Sequence, residues 1–270
     1  MHINLFDSHV HSDNSPDGHS PISLLCEKAV ELGLSGLAIT DHCDINLYEE
    51  EQFELRMRQS FFESLIAREV FQNKLIVSLG IELGQPLDSL ENTQRALTRN
   101  PYDFVLAGLH FRPNNGEDFY YIDFTREDPY AFMEEYYQQV YRTVQWNGFD
   151  ALAHLDYPLR YIEGRWGVSM DLSRFTPIVD EILKLLAQNG KALEINTAAL
   201  RRGVGRITPT LEQLKRFREF GGEYVTLGSD AHQAECVGGC LQDGMELLTA
   251  AGYREFTFYR KRKPCLLRII

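Results

Sequence analysis

Seven short apolar runs, each followed by a stretch with helical spacing, constrain this chain more than any other feature. The runs cover 2–6, 34–40, 74–81, 102–109, 149–153, 192–196 and 224–229. Between them, residues 22–32, 52–72, 86–100, 129–146 and 171–189 read as helices, and Thr208-Pro209 opens a further one that Gly221-Gly222 stops. Ser20 is the candidate N-cap of the first helix, with Pro21 at its first helical position. Alternating strands and helices predict a parallel sheet, closed or open, flanked by helices. No linker rich in Pro, Gly or Ser interrupts the alternation. The expectation is one α/β domain over residues 1–270, barrel-like, with seven strands. Residues 256–262 form an extra strand with a basic edge outside the repeat, and 112–127, with an Asn-Gly turn and four aromatics, form a long loop over one mouth.

The apolar runs end in polar residues. His9 and His11 close the first, His42 the second, Glu82 the third, His110 the fourth and His154 the fifth, while Asp230 and His232 close the seventh. Side chains two apart on a strand share a face, so His9 and His11 point into one volume. Barrel enzymes place their sites at the C-terminal ends of strands. One rim histidine is ordinarily a satisfied polar side chain. Six of the eight histidines in one layer, beside Glu82 and Asp230, exceed that reading, because neutral imidazole with carboxylate is the ligand set of zinc, manganese and iron.

Composition removes several classes. No run of about 18 apolar residues exists, so no membrane span is expected, and the N-terminus lacks the basic-then-apolar pattern of a secretory signal. A cytoplasmic enzyme is the expectation. Lys plus Arg number 27 against 39 Asp plus Glu, a net charge of −12, which disfavours nucleic acid as a partner. The five cysteines show no framework, and Cys236 and Cys240 lack a second pair, so reduced thiols are expected.

Asp-x-His-x-His at the first strand, Thr-Asp-His at the second and Gly-Ile-Glu at the third resemble the polymerase and histidinol phosphatase (PHP) family. Gly-Leu-His, Ala-His-Leu-Asp and Gly-Ser-Asp-Ala-His at the fourth, fifth and seventh agree with it, so the resemblance runs from residue 5 to about 240. The run Glu-Ile-Asn-Thr-Ala-Ala-Leu-Arg at 194–201 resembles the histidinol-phosphatase branch. The resemblance implies a distorted (β/α)7 barrel, TIM-barrel-like, with three divalent transition metals (zinc, manganese or iron) at the C-terminal ends of the strands. His9, His11 and Asp230 would hold one ion, Glu82 would bridge to a second completed by His110 and His154, and Asp17, His42 and His232 would hold the third. Some relatives carry His where this chain has Asp17, which tilts that position toward manganese or iron.

The implied activity is hydrolysis of a small phosphomonoester, L-histidinol phosphate of histidine biosynthesis, by a water activated between two ions. The ions would outweigh the three carboxylates and trap a phosphate dianion. A proton for the leaving alkoxide would come from water on the third ion or from the Asp230/His232 pair. Arg160 and Arg201 are the candidate phosphate clamps, with Arg202 and Arg112 behind them. Asp41 and Asp156 are placed to orient imidazoles. Glu117, Asp118 and the aromatics of the 112–127 loop, with the acidic stretch 44–51, are the sources of contacts to the amine and ring of such a substrate. Two other readings stay open: a phosphoesterase of the same family acting on a nucleotide phosphodiester or phosphotyrosine, and a metal-binding module without turnover. The acidic balance speaks against the nuclease, and the full ligand set speaks against the module.

Overall fold

The computed structural model describes residues 2–112 and 116–270. In chain order its strands are β1 (Phe6–Val10), β2 (Gly36–Ile39), β3 (His42–Asp44), β4 (Ile76–Gly84), β5 (Phe104–Gly108), β6 (Ala151–Leu152), β7 (Ala192–Asn196), β8 (Val225–Gly228), β9 (Glu255–Arg260) and β10 (Lys263–Arg268). The helices are α1 (Ile22–Glu31), α2 (Phe53–Phe71), α3 (Leu90–Arg99), α4 (Pro129–Trp146), α5 (Leu159–Ile162), α6 (Thr176–Gln188), α7 (Ala198–Arg201), α8 (Leu211–Glu219) and α9 (Leu241–Ala250). Parallel strands run in the order β1-β2-β4-β5-β6-β7-β8, with β3 added on β4. Val10 bridges Ala231 in parallel, His11 N–H donates to Ala231 O at 2.8 Å, and Asp230 N–H donates to His9 O at 2.9 Å. The ring of strands therefore closes between β1 and the segment after β8, at the level of the histidines themselves. This is the distorted seven-stranded barrel expected.

The strands are buried on both faces, as parallel strands under helices must be. Helices pay their conformational entropy with one apolar stripe: α6 buries Val179, Ile182, Leu183 and Leu186, each worth about 1.5–3 kcal/mol when withdrawn from water. Among the described residues no helix is long and apolar enough to cross a membrane.

The structure differs from the sequence reading at five places. Glu82 does not end its strand; β4 runs on to Gly84 because the short strand β3 pairs with it, setting His42 beside Glu82. Ser20 does not cap α1; its hydroxyl accepts from Ala234 N–H at 3.0 Å, and the helix begins at Ile22 after Pro21. Thr208-Pro209 does not open α8, whose cap is Thr210 in a reciprocal box with Gln213. The C-terminal extra strand is a hairpin, β9 with β10, because Lys261 and Arg262 both take positive φ and turn the chain back. Helix 171–189 also divides, into a 3-10 turn Leu172–Phe175 and α6, with Pro177 in the first turn of α6. In the 112–127 loop, Phe119, Ile122 and Phe124 are buried; of the expected Asn-Gly turn, Asn115 lies outside the described residues.

Candidate metal centre and its cavity

At the C-terminal mouth of the barrel the predicted ligands converge. Four sets each bring donor atoms within 4.8 Å of one another: His9, His11 and Asp230; His9, Glu82 and His154; His42, Glu82 and His110; His11, His42 and His232. Glu82 belongs to two of these sets and faces histidines of all four. Its Oε1 faces His154 Nε2 at 2.7 Å and His110 Nε2 at 3.3 Å, while its Oε2 faces His42 Nδ1 at 2.8 Å, His9 Nε2 at 3.3 Å and His11 Nε2 at 3.5 Å. Asp17 stands at the rim, 61% exposed, 3.1 Å from His232 Nε2 and 3.6 Å from His42 Nε2.

Several of these contacts are close without being hydrogen bonds. His9 Nε2, His11 Nε2, His42 Nδ1 and Glu82 Oε2 are all buried and have no hydrogen-bond partner among the described residues. Orphaned buried donors and acceptors are costly, on the order of 1–3 kcal/mol each. Here they are gathered in one volume, with lone pairs that meet in the space between them rather than on each other. Imidazole and carboxylate in this arrangement fit divalent transition ions.

The outer nitrogens are held separately. His9 Nδ1 lies 2.6 Å from Glu194 Oε1, His110 Nδ1 lies 2.7 Å from Asp44 Oδ1, and His11 Nδ1 lies 3.3 Å from Ser15 Oγ. Such partners fix the ring orientation and leave the inner nitrogen for a ligand. Glycines make room for the layer. A Cβ on Gly228 would meet Glu194 Oε1 at 2.4 Å, and one on Gly84 would meet Asp44 Oδ1 at 1.8 Å. Asp230 and His154 occupy positive φ, 52° and 22°, a strained backbone state that clusters at functional sites.

Electrostatics divide the groups. Burial works against charge on Asp230, yet the Arg160 guanidinium and His9 hold its carboxyl well below the usual carboxylate range. Burial is likewise outweighed at Glu82 by His9, His110 and His42. Burial pushes His11 and His154 down, keeping them neutral, the state that binds metal. An anionic Asp230 has no proton to give, so its expected part in leaving-group protonation is not supported.

Above the nest lies a cavity of about 710 Å³, a size suited to a small substrate. Arg160 and Arg202 line it; Arg201 does not. Arg160 donates from Nη2 to Asp230 Oδ2 at 2.6 Å and stacks over Tyr157, 4.0 Å from the ring centroid. Arg201 is instead committed to backbone, donating to Ser229 O at 2.5 Å and Gly239 O at 3.1 Å. Arg112 is not among the residues lining the cavity; it pairs with Glu127, Glu135 and, at 4.0 Å, the lining residue Glu117. Glu117, Asp118, Tyr120, Tyr121, Asp44, Glu51, Tyr157 and Tyr161 also line the cavity; Phe119 packs into the core instead.

Two supports expected from Asp41 and Asp156 are arranged differently. Asp41 collects Ser12 and Ser60 and reaches His11 only through Ser15, whose hydroxyl is 2.8 Å away. Asp156 faces outward to Tyr137 OH at 2.7 Å and Gln213 Nε2 at 3.3 Å. Sequence reasoning missed Glu194, although a carboxylate in the middle of an apolar strand signals a buried charge that must find a partner. All five cysteines are free thiols.

The PHP domain family matches residues 7–198. A probable histidinol-phosphatase from Thermotoga maritima is 29% identical over 244 residues, 90% of this chain and 91% of that protein. A histidinol-phosphatase from Lactococcus lactis subsp. lactis is 28% identical over 268 residues, 95% of each. The crystal structure of histidinol phosphate phosphatase from Lactococcus lactis subsp. lactis, complexed with zinc, L-histidinol and phosphate, superposes with a TM-score of 0.80 at 24% identity, covering 97% of this chain and 99% of that one. That likeness shows the fold.

Proposed function

We propose that this chain, which belongs to the PHP domain family, works as one barrel domain that hydrolyses L-histidinol phosphate to L-histidinol and phosphate. The observation that carries the reading is the buried set of unpartnered imidazole and carboxylate atoms beneath a cavity lined by arginines, tyrosines and carboxylates. The two histidinol-phosphatase relatives, matched along nearly their whole length, support the substrate.

His9, His11, Glu82 and Asp230 would hold one ion, Glu82, His110 and His154 a second, and Asp17, His42 and His232 a third. Divalent ions bound there would polarise the phosphoryl oxygens and lower the pKa of water to about 7. Zinc, manganese and iron all suit these ligands. Arg160 would donate to a phosphate oxygen from the guanidinium nitrogens not spent on Asp230, and Asp230 holds its fork in place. Arg202, which also lines the cavity, would add a second donor. Tyr157 and Tyr161 present ring faces for an imidazole, and Glu117 and Asp118 would accept from the ammonium group. The tyrosines would also keep bulk water from the phosphate once a substrate fills the cavity. The net charge of −12 fits a small, locally steered substrate better than a nucleic acid.

Substrate preference tests this reading. With the enzyme loaded with manganese, kcat/KM for L-histidinol phosphate should exceed that for glycerol phosphate by at least about tenfold, the effect of one good polar contact. Glu117→Gln or Asp118→Asn should erase part of that ratio without altering turnover of p-nitrophenyl phosphate, which has no amine. Equal kcat/KM for both natural phosphomonoesters would remove the substrate assignment. A reading as metal-binding module without turnover would then require no phosphate release from any of them.

A further inference from the structure

Helix α2 (Phe53–Phe71) buries Phe53, Met57, Ser60, Ser64 and Ala67. Its opposite face is not the polar one that a solvated helix shows. Leu55, Phe62, Ile66 and Val70 are 58%, 63%, 50% and 70% exposed, and at 100° per residue they line one stripe. Among the described residues nothing covers this stripe. A continuous exposed apolar surface of this kind marks an interaction site.

The charges beside the stripe say what would cover it. Arg58 and Glu69 are both exposed on the same outward face, and among the described residues neither side chain has a hydrogen bond or ion pair. They are eleven residues apart, close to three whole turns, and thus roughly 16 Å apart along the axis, too far to pair with each other within one helix. Their midpoint falls between Glu63 and Ser64, and Phe62 and Leu65 share that midpoint. Reversing the helix about that point brings Arg58 of one copy level with Glu69 of the other, twice over, and lays Phe62 against Leu65. A parallel pairing would set like charges together instead. Self-complementarity of this kind is the requirement of an isologous contact.

We infer that α2 is the interface of a homodimer, in which two copies of the helix pack antiparallel across a twofold axis near Glu63 and Ser64. The contact is independent of the phosphatase reading, since it uses none of the cavity residues.

Sedimentation of the full chain, loaded with metal, tests the inference. The wild type should sediment at twice the 31.1 kDa of the chain. Ile66→Arg should shift it to the monomer mass. Arg58→Glu or Glu69→Arg alone should each weaken dimerisation by roughly fivefold or more, since symmetry alters both ion pairs at once, and the double charge swap should restore it. These side chains are exposed, and an unchanged circular dichroism spectrum would confirm that each variant folds. A wild type that stays monomeric at every concentration overturns the inference. So does a dimer indifferent to Ile66→Arg, and a charge swap that fails to rescue overturns the antiparallel register.

Discussion

His9 and Glu194 stand on strands β1 and β7, which are not neighbours in the sheet, yet His9 Nδ1 and Glu194 Oε1 lie 2.6 Å apart across the barrel, both fully buried. The other oxygen of the same carboxylate accepts from His154 N–H at 2.7 Å. One side chain thus sets the rotamer of one candidate ligand and the backbone of another, the latter at a strained φ of 22°.

Glu194→Gln, nearly isosteric, should therefore lower metal affinity by about 10–100-fold, the usual cost of losing such a support, while leaving the fold intact. Metal-competition titration followed by dye or calorimetry reads this directly. Affinity indistinguishable from the wild type would mean that Glu194 is only a buried structural carboxylate.

Glu82→Ala should strip more metal than any other single ligand change, because both oxygens of Glu82 face histidines from different sets. Asp17→Ala, at the exposed rim, should remove at most one ion. Elemental analysis after manganese loading and gel filtration makes the comparison. If Asp17→Ala emptied the site and Glu82→Ala did not, the central place given to Glu82 would be mistaken.

The two arginines should separate. Arg160→Ala removes a cavity donor and leaves Asp230 without its partner, so kcat/KM should fall by roughly 10–100-fold, about 1.4–2.7 kcal/mol. Arg201→Ala should instead lower stability by about 1–3 kcal/mol, chiefly through Ser229 O left without its donor, since Gly239 O keeps the Thr197 hydroxyl, with KM unchanged. Thermal unfolding and steady-state kinetics on both variants decide. A KM effect in Arg201→Ala with no loss of stability would return that residue to the substrate.

The layer of candidate ligands was legible in the sequence because strand ends could be read from apolar runs and because histidine has few other reasons to gather there. The bounds of α4 and β7 were legible for the same reason of clean punctuation: Pro129 opens α4, and Asn189-Gly190 and Thr197 frame β7. What could not be read depended on contacts between strands far apart in the chain. The pairing of β3 with β4 extends the latter past Glu82, and no local signal announces it. Arg201 looked as available as Arg160, since only the tertiary fold puts Ser229 O within 2.5 Å of the former and Asp230 Oδ2 within 2.6 Å of the latter. Glu194 lies within the 194–201 run, and only the fold shows that its carboxylate holds the His9 ring and the His154 backbone.

A pH effect on stability should be traceable to Asp156. Burial pushes its carboxyl up to about 6, against hydrogen bonds from Tyr137 and Gln213 that act the other way. The folded state then holds the proton more tightly than the unfolded one, so this group costs stability as pH rises from about 4 through 6 and the loss is complete above that. Asp156→Asn should match the wild type near pH 4 and exceed it at pH 8 by up to about 3 kcal/mol. Denaturant unfolding at the two pH values measures the gap. A gap that shrinks as pH rises would show the sign to be wrong.

The central claim is that the histidine and carboxylate nest holds the ions on which phosphate release depends. Chelator-treated protein should be titrated with manganese while phosphate release from L-histidinol phosphate and bound metal per chain are followed together. The account predicts no turnover in the stripped protein, and turnover that rises with occupancy and levels off at two to three ions per chain. Full turnover in metal-free protein, or none at any loading, would contradict it.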